Sequence, residues 1–239
     1  MEKPSISIII PCKNEIKNIR PAVERIPNMG SYTEIIFCDD KSTDGTRYEI
    51  LKMIETYPDK RIRLIDGPGI CKADNVWNGL DNATGDILCI LDGDLTVQPE
   101  ILPLFYNTIR FHPNGFINGT RFVYPMKSNA MLLTNKFGNK FLALLMSFVI
   151  KQKLTDTLCG TKVFWRSDYY YIRKHRNSWG VKDQWGDYEL LLSAVRCELI
   201  IAEIPVYYMD RVYGNTKMNN RIIDGLAMLW MCITAWRKL

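Results

Sequence analysis

The chain of 239 residues reads as an α/β fold on a mostly parallel sheet, and three observations predict it. The first third runs strand, helix, strand, helix, strand, helix, strand, the order of right-handed crossover units. The strand-like runs are apolar throughout rather than alternating, as in strands covered on both faces. Polar, acid-rich clusters follow successive strands, and the carboxyl ends of such strands are where parallel sheets bind ligands.

Residues 6–10, Ile-Ser-Ile-Ile-Ile, closed by Pro11, form the first buried strand. The polar cluster Cys12-Lys13-Asn14-Glu15 follows, then a helix over 16–26. A second strand over 34–39 ends in Asp39-Asp40, and Asp44 and Thr46 suit the N-terminus of a helix over 47–57. A third strand over 61–65 leads into the loop 66–72, whose Lys72 is available to a phosphate. Residues 73–83 are helical, and Thr84-Gly85-Asp86 turns the chain into Ile87-Leu88-Cys89-Ile90-Leu91-Asp92-Gly93-Asp94.

That last stretch carries the most chemistry. Two aspartates at the end of a buried strand repel each other, and each resists leaving water unpaired. A hard cation, Mg²⁺ or Mn²⁺, resolves the conflict by taking both carboxylates and filling its shell with phosphate oxygens and water. A solvated turn is the plainer alternative for three residues alone. Four polar strand ends on one sheet edge, at 11–15, 39–40, 66–72 and 92–94, favour the metal reading.

Composition narrows the class. The chain is 47% hydrophobic and 24% charged, ordinary for a globular protein, and its net charge of +5 is too diffuse to argue for nucleic acid. Seven cysteines lack C-x-x-C spacing and fall largely in apolar runs, so they read as reduced thiols and a cytoplasmic location. Met1-Glu2-Lys3-Pro4 shows no signal-peptide pattern. No stretch reaches the roughly 20 apolar residues that span a bilayer. Neither G-x-G-x-x-G nor G-x-x-x-x-G-K-[ST] occurs where a dinucleotide fold or a P-loop needs it.

The pieces Ile8-Ile9-Ile10-Pro11-Cys12-Lys13-Asn14-Glu15, Asp39-Asp40-Lys41-Ser42-Thr43-Asp44-Gly45-Thr46, Ala83-Thr84-Gly85-Asp86 and Asp92-Gly93-Asp94 together resemble the family-2 glycosyltransferases of the GT-A fold. The resemblance implies a Rossmann-like central sheet flanked by helices and a nucleotide-sugar donor, UDP- or GDP-linked. Pro11, Asn14 and Glu15 would line the base and ribose pocket, Asp39 would contact the base beside Asp40, and Lys72 would lie near the same pocket. Asp92 and Asp94, separated by Gly93, would hold the cation that bridges the donor diphosphate.

In the second half, Gly115–Phe122 reads as a strand ending in Gly119-Thr120-Arg121, and Leu154-Thr155-Asp156-Thr157-Leu158-Cys159-Gly160 follows a long apolar helix. This arrangement is similar to the dolichol- and polyprenyl-phosphate sugar synthases of the family. The similarity implies a lipid-phosphate acceptor, with Arg121 binding its phosphate and Asp156 in the acceptor region. It also implies a single in-line displacement with inversion. A phosphate is already nucleophilic near neutral pH, so no strong general base is needed. Those synthases commonly carry glutamine two residues past the second aspartate, whereas this chain has Thr96, a hydroxyl that can reach a cation directly or through water.

Asp187 in Trp185-Gly186-Asp187-Tyr188-Glu189 opens a further helix, either as a cap or at the acceptor side, with Glu189 the weaker candidate. Residues 199–209 read as an edge strand that tolerates Pro205. The basic loop after it, with Arg211 and Lys217, matches the loop that folds over the diphosphate in the family. Two apolar helices remain, at 129–151 and 218–239. The first is flanked by lysines and reads as an interfacial helix on a membrane surface or as a core or homo-oligomer helix. The second ends in Trp236-Arg237-Lys238, as a C-terminal surface anchor does.

The organisation expected is one glycosyltransferase domain over 1–218, with a donor half (1–122) and an acceptor half (123–218), then an amphipathic helix over 219–239. The expected location is the cytoplasmic face of a membrane. A surface polysaccharide or other glycan is the alternative acceptor. A nucleotidyltransferase is a weaker rival, since it would show a Gly-rich basic signature after the first strand.

Overall fold

The computed structural model describes residues 3–125, 133–211, 213 and 220–239, without the side chains of 133–135 and 221. Seven strands form one sheet: β1 (Ile6–Cys12), β2 (Thr33–Asp39), β3 (Arg61–Asp66), β4 (Ile87–Ile90), β5 (Gly115–Thr120), β6 (Lys162–Trp165) and β7 (Ile200–Pro205). Their order is β3-β2-β1-β4-β6-β5-β7. β6 runs antiparallel to both neighbours, and the other pairings are parallel. The mostly parallel sheet predicted from the alternation is therefore present. β7 lies at an edge, where the missing N–H of Pro205 is tolerated.

Among the described residues, eight α-helices pack on its two faces: α1 (Ile16–Arg25), α2 (Thr46–Thr56), α3 (Lys72–Asp81), α4 (Leu102–Arg110), α5 (Leu133–Ile150), α6 (Arg166–Ile172), α7 (Asp187–Arg196) and α8 (Arg221–Lys238). Successive strand side chains point to opposite faces, so β1 gives Ile8 and Ile10 to one core and Ile9 to the other. The first core takes Ile19 and Val23 of α1, Ile50 and Met53 of α2, and Phe105 and Ile109 of α4. The second takes Trp77 of α3, Met146 of α5, Ile172 of α6, Leu191 of α7 and Met231 of α8.

The sequence reading assigned no element to α4, β6 or α6. β6 is only Lys-Val-Phe-Trp, too short for periodicity to declare it. It is a strand because β4 and β5 flank it, with Cys89 and Ile117 both in register with Val163. Inserting it between β4 and β5 brings the Asp156–Lys162 segment to the carboxyl end of β4. All seven cysteines are free thiols, as their spacing predicted. No helix among the described residues is long and apolar enough to cross a membrane.

Candidate active site

β2, β1 and β4 are neighbours, so their polar ends converge. Cys12 is in register with Asp39, and Asp39 with Asp66. Past β1 the chain turns through Asn14 in the left-handed region (φ 55°), a conformation asparagine tolerates better than most residues. The Asn14 N–H donates to the Ser42 hydroxyl at 2.9 Å, and its side-chain oxygen accepts the Thr43 N–H at 2.8 Å. These bonds join the loops after β1 and β2. The Glu15 N–H donates to Thr46 Oγ1 at 2.8 Å, and its buried carboxylate accepts from Asn18 at 2.7 Å. Asp39 accepts the Ser42 N–H at 3.3 Å and the Ser42 hydroxyl. Asp40 accepts the Gly69 N–H at 2.7 Å and the Lys13 ammonium at 3.2 Å.

The turn after β4 is tight. The Leu95 N–H donates to the Asp92 carbonyl at 3.1 Å, and Leu95 itself is left-handed (φ 53°) while buried. A branched residue there is unfavourable, a strain of the kind found at functional turns. A Cβ on Gly93 would come within 2.9 Å of the Pro11 carbonyl oxygen, so only glycine lets β1 and β4 close up at this point. Thr96 does not face outward as an extra ligand. Its N–H and hydroxyl both donate to Asp94 Oδ1, at 3.1 and 2.8 Å.

Both carboxylates of the β4 turn have a basic partner from another element. Lys72, at the start of α3, lies 2.6 Å from Asp92 Oδ1. Arg211 lies 2.5 Å from Asp94 Oδ2, carried there by the segment after β7: the Met209 N–H donates to the Thr96 carbonyl, and Val97 bridges Tyr208. Burial pushes the Asp92 carboxyl up, but Lys72, Lys162 and Arg121 outweigh it and hold it below the usual range. Burial likewise works against the charge on Lys72, and Asp92, Asp187 and Asp94 overcome it, so Lys72 stays protonated.

Arg121 and Asp156 form a bidentate pair at 2.6 and 2.8 Å, with Asp156 fully buried. Asp156 also accepts from the backbone of Arg121 and Leu158 and from Asn139. Asp187 pairs with Lys162 at 2.5 Å. The helix-capping alternative for Asp187 goes instead to Asp183, which accepts the Tyr188 and Glu189 N–H groups, both at 3.0 Å. Glu189 points away into the core, taking the Trp77 indole N–H at 2.9 Å, and burial pushes its carboxyl up.

The sheet thus brings Pro11, Asn14, Glu15, Asp39 and Asp40 to the loops after β1 and β2, and Asp92, Gly93, Asp94, Lys72 and Arg211 to the end of β4. Arg121, Asp156 and Asp187 lie on the β5–β6–α7 side. Lys217 falls outside the described residues. Sequence reasoning passed over Lys162, although a lysine opening an apolar run was a signal. It also passed over Gly160, where a Cβ would sit 2.2 Å from the Asp92 carboxylate.

Acid–base pairs at the carboxyl ends of a parallel sheet suit a charged, phosphate-bearing substrate, and known proteins agree with this geometry. The chain is 33% identical over 120 residues to a dolichol-phosphate mannosyltransferase of Pyrococcus furiosus, covering 49% of this chain and 33% of that protein. It is 33% identical over 122 residues to one of Saccharomyces cerevisiae, covering 48% and 44%. The chain therefore spans under half the length of these two relatives. A third, from Mycosarcoma maydis, is 24% identical over 233 residues, covering 92% of this chain and 76% of that protein.

Among solved structures, glucosyl-3-phosphoglycerate synthase from Mycobacterium tuberculosis, in complex with Mn²⁺, UDP and glucosyl-3-phosphoglycerate, superposes with a TM-score of 0.69 at 15% identity. That match covers 98% of this chain and 80% of that one, and establishes the GT-A fold alone. Residues 7–191 match the family described as Glycosyl transferase family 2, a span that takes in β1 to β6 and the opening of α7. A match over most of the sheet and the whole β4 turn means that this chain belongs to glycosyl transferase family 2.

Proposed function

We propose that the protein moves a sugar from a nucleotide-sugar donor to a polyprenyl phosphate, with inversion and with a divalent cation. One observation carries the donor half of this reading. Asp92 and Asp94 end the central strand of a parallel sheet, and each faces a cation from a different loop, Lys72 and Arg211.

The donor set fits Mg²⁺ or Mn²⁺. Two carboxylates offer hard oxygens, and among the described residues no three acidic, histidine or cysteine side chains gather as a closed metal site. Such a pair suits a cation that completes its shell with substrate oxygens and water. When bound, the cation neutralises the leaving diphosphate without proton transfer. Thr96 orients Asp94 rather than contributing a ligand. Lys72 and Arg211 lie where they can turn to diphosphate oxygens. Asn14, Glu15, Asp39 and Asp40 border the nucleoside.

On the acceptor side, Asp156 holds the guanidinium of Arg121 in one plane for an acceptor phosphate, and Asp187 stands beside them. The likeness to dolichol-phosphate mannosyltransferases supports a lipid phosphate as acceptor. So do the outward faces of α5 and α8. Phe137, Phe141, Leu144 and Phe148 form an exposed stripe on α5, with Ile222, Leu226, Trp230 and Trp236 on α8. Lys136 and Lys151 flank the first and Arg237 and Lys238 end the second, as on helices that lie in an anionic membrane surface.

The test is incubation with membranes, Mn²⁺ or Mg²⁺ and a panel of labelled nucleotide sugars. The expected result is label in an acid-labile lipid extract, lost on adding chelator and restored by Mn²⁺. Label confined to water-soluble glycan would replace the lipid acceptor with a polysaccharide. Transfer indifferent to chelator would remove the cation from the reaction.

A further inference from the structure

Beside the carboxyl end of β4 the fold buries a lysine completely. Lys162 opens β6 in register with Ile90, at the end of β4, and none of its side chain reaches solvent. Its ammonium donates to Asp187 Oδ1 at 2.5 Å and to the carbonyl of Cys159.

Asp187 is in turn placed against α3. Gly186 is left-handed (φ 88°), and a Cβ there would lie 3.3 Å from Ala73 Cα, so the chain hugs the start of that helix. The Ala73 N–H donates to the Gln184 carbonyl at 3.1 Å. Lys72, one residue earlier, pairs with Asp92. Four charges therefore alternate across four segments: Lys162, Asp187, Lys72, Asp92.

Stability does not account for the first pair. Removing an ammonium and a carboxylate from water is costly, and apolar side chains of similar volume commonly serve a core equally well or better. Val163 and Phe164 beside Lys162 are fully buried apolar residues. Helix capping does not require Asp187 either, because Asp183 supplies the cap. What the pair does supply is an anion with one fixed orientation beside the transfer centre.

We propose that Lys162 is a positioning residue for glycosyl transfer, fixing the Asp187 carboxylate at the acceptor side of the site. The inference rests on the reading of this edge as the transfer centre. It adds a residue that contacts neither substrate nor cation.

The test compares Lys162→Met, the double variant Lys162→Met/Asp187→Leu, and Lys162→Gln, which keeps an N–H donor on a shorter side chain. Lys162→Met is expected to lower kcat by about 100-fold, the scale of a misplaced catalytic group, with the donor KM within about threefold of wild type. The double variant removes the unpaired buried charge and is expected to recover the wild-type Tm while kcat stays down. Lys162→Gln is expected to keep kcat within about tenfold, since it keeps an N–H donor toward Asp187 and loses charge assistance and some reach.

A double variant that recovers kcat together with Tm would make the pair structural and overturn the proposal. So would Lys162→Gln as inactive as Lys162→Met, or an effect confined to donor KM. Turnover is read with whichever acceptor the wild type labels. A wild type that ignores polyprenyl phosphate would therefore overturn the acceptor reading and leave the test of Lys162 intact.

Discussion

Asp94 shows how much a single side chain is asked to do. One oxygen is held by Thr96 and the other faces Arg211 at 2.5 Å. Asp94→Ala is expected to lower transfer by about 10²–10³-fold, the range for loss of one group that stabilises developing charge, with an unchanged circular dichroism spectrum. Near wild-type turnover would take Asp94 out of the site. Gly160→Ala approaches the same centre from behind. Its methyl group would strike the Asp92 carboxylate, so activity is expected to fall while the urea midpoint moves little. Asp156 tests the buried pair with Arg121. Burial raises its carboxyl and the Arg121 pair more than offsets this, leaving its pKa lowered. A lowered pKa means that Asp156 stabilises the fold above the unfolded value of about 4 and loses that contribution as pH falls below it. Asp183, Glu189 and Glu203, raised by burial, work in the opposite sense. The clean measurement is therefore the difference between wild type and Asp156→Asn in urea melts at falling pH, and that difference should shrink below about pH 4. At neutral pH Asp156→Ala leaves a buried guanidinium unpaired and should cost about 3–5 kcal/mol.

Among the elements, α5 and α8 are distinctive because each has two apolar sides. Leu142 and Met146 of α5, and Met228 and Met231 of α8, enter the core, while the stripes opposite face outward. A helix apolar on both sides needs a second apolar environment. Phe141→Asp/Phe148→Asp leaves the core face untouched. It is expected to weaken binding to anionic phospholipid vesicles by about tenfold or more per residue, on the scale of burying a phenylalanine. Undiminished vesicle binding by the double variant would exclude α5 as the contact. β6 is the opposite case, an element defined by its neighbours. Its four residues carry Lys162 into the sheet and bring Gly160 against Asp92, although the strand has no signature of its own.

At the scale of the whole molecule, the sheet sorts the cysteines. Cys12, Cys38, Cys89, Cys159 and Cys232 are buried, and Cys71 and Cys197 are half-exposed. Burial pushes the Cys38 and Cys159 thiols up to about 12, leaving almost no thiolate at neutral pH. Burial raises the Cys71 and Cys197 thiols as well, but they are the accessible ones, so native protein should release colour from a disulfide reagent first at these two, and from all seven thiols in denaturant. Rapid reaction at more than two sites would mean that the sheet opens locally in solution. The crossing of the chain over this sheet also decides which residues meet. Lys72 and Asp92 are close in sequence, whereas Asp94 and Arg211 meet only because the segment after β7 lies along Thr96 and Val97.

The sequence by itself determined the parallel strand–helix alternation, the acid-rich strand ends and the Asp92-Gly93-Asp94 turn. Each depends on local order: apolar runs, turn residues and spacing within a few positions. Tertiary structure alone decided the partners. In the sequence Thr96 reads as a hydroxyl within reach of a cation, and the fold gives that hydroxyl Asp94 as its hydrogen-bond acceptor. Asp187 carried two readings that the chain could not separate, and Asp183 took the cap four residues earlier. Lys162 stood out only as a lysine opening an apolar run, because the meaning of a buried charge lies in what faces it. Burial and ion pairing are set by strands distant in sequence, and no local pattern records which of them will become neighbours.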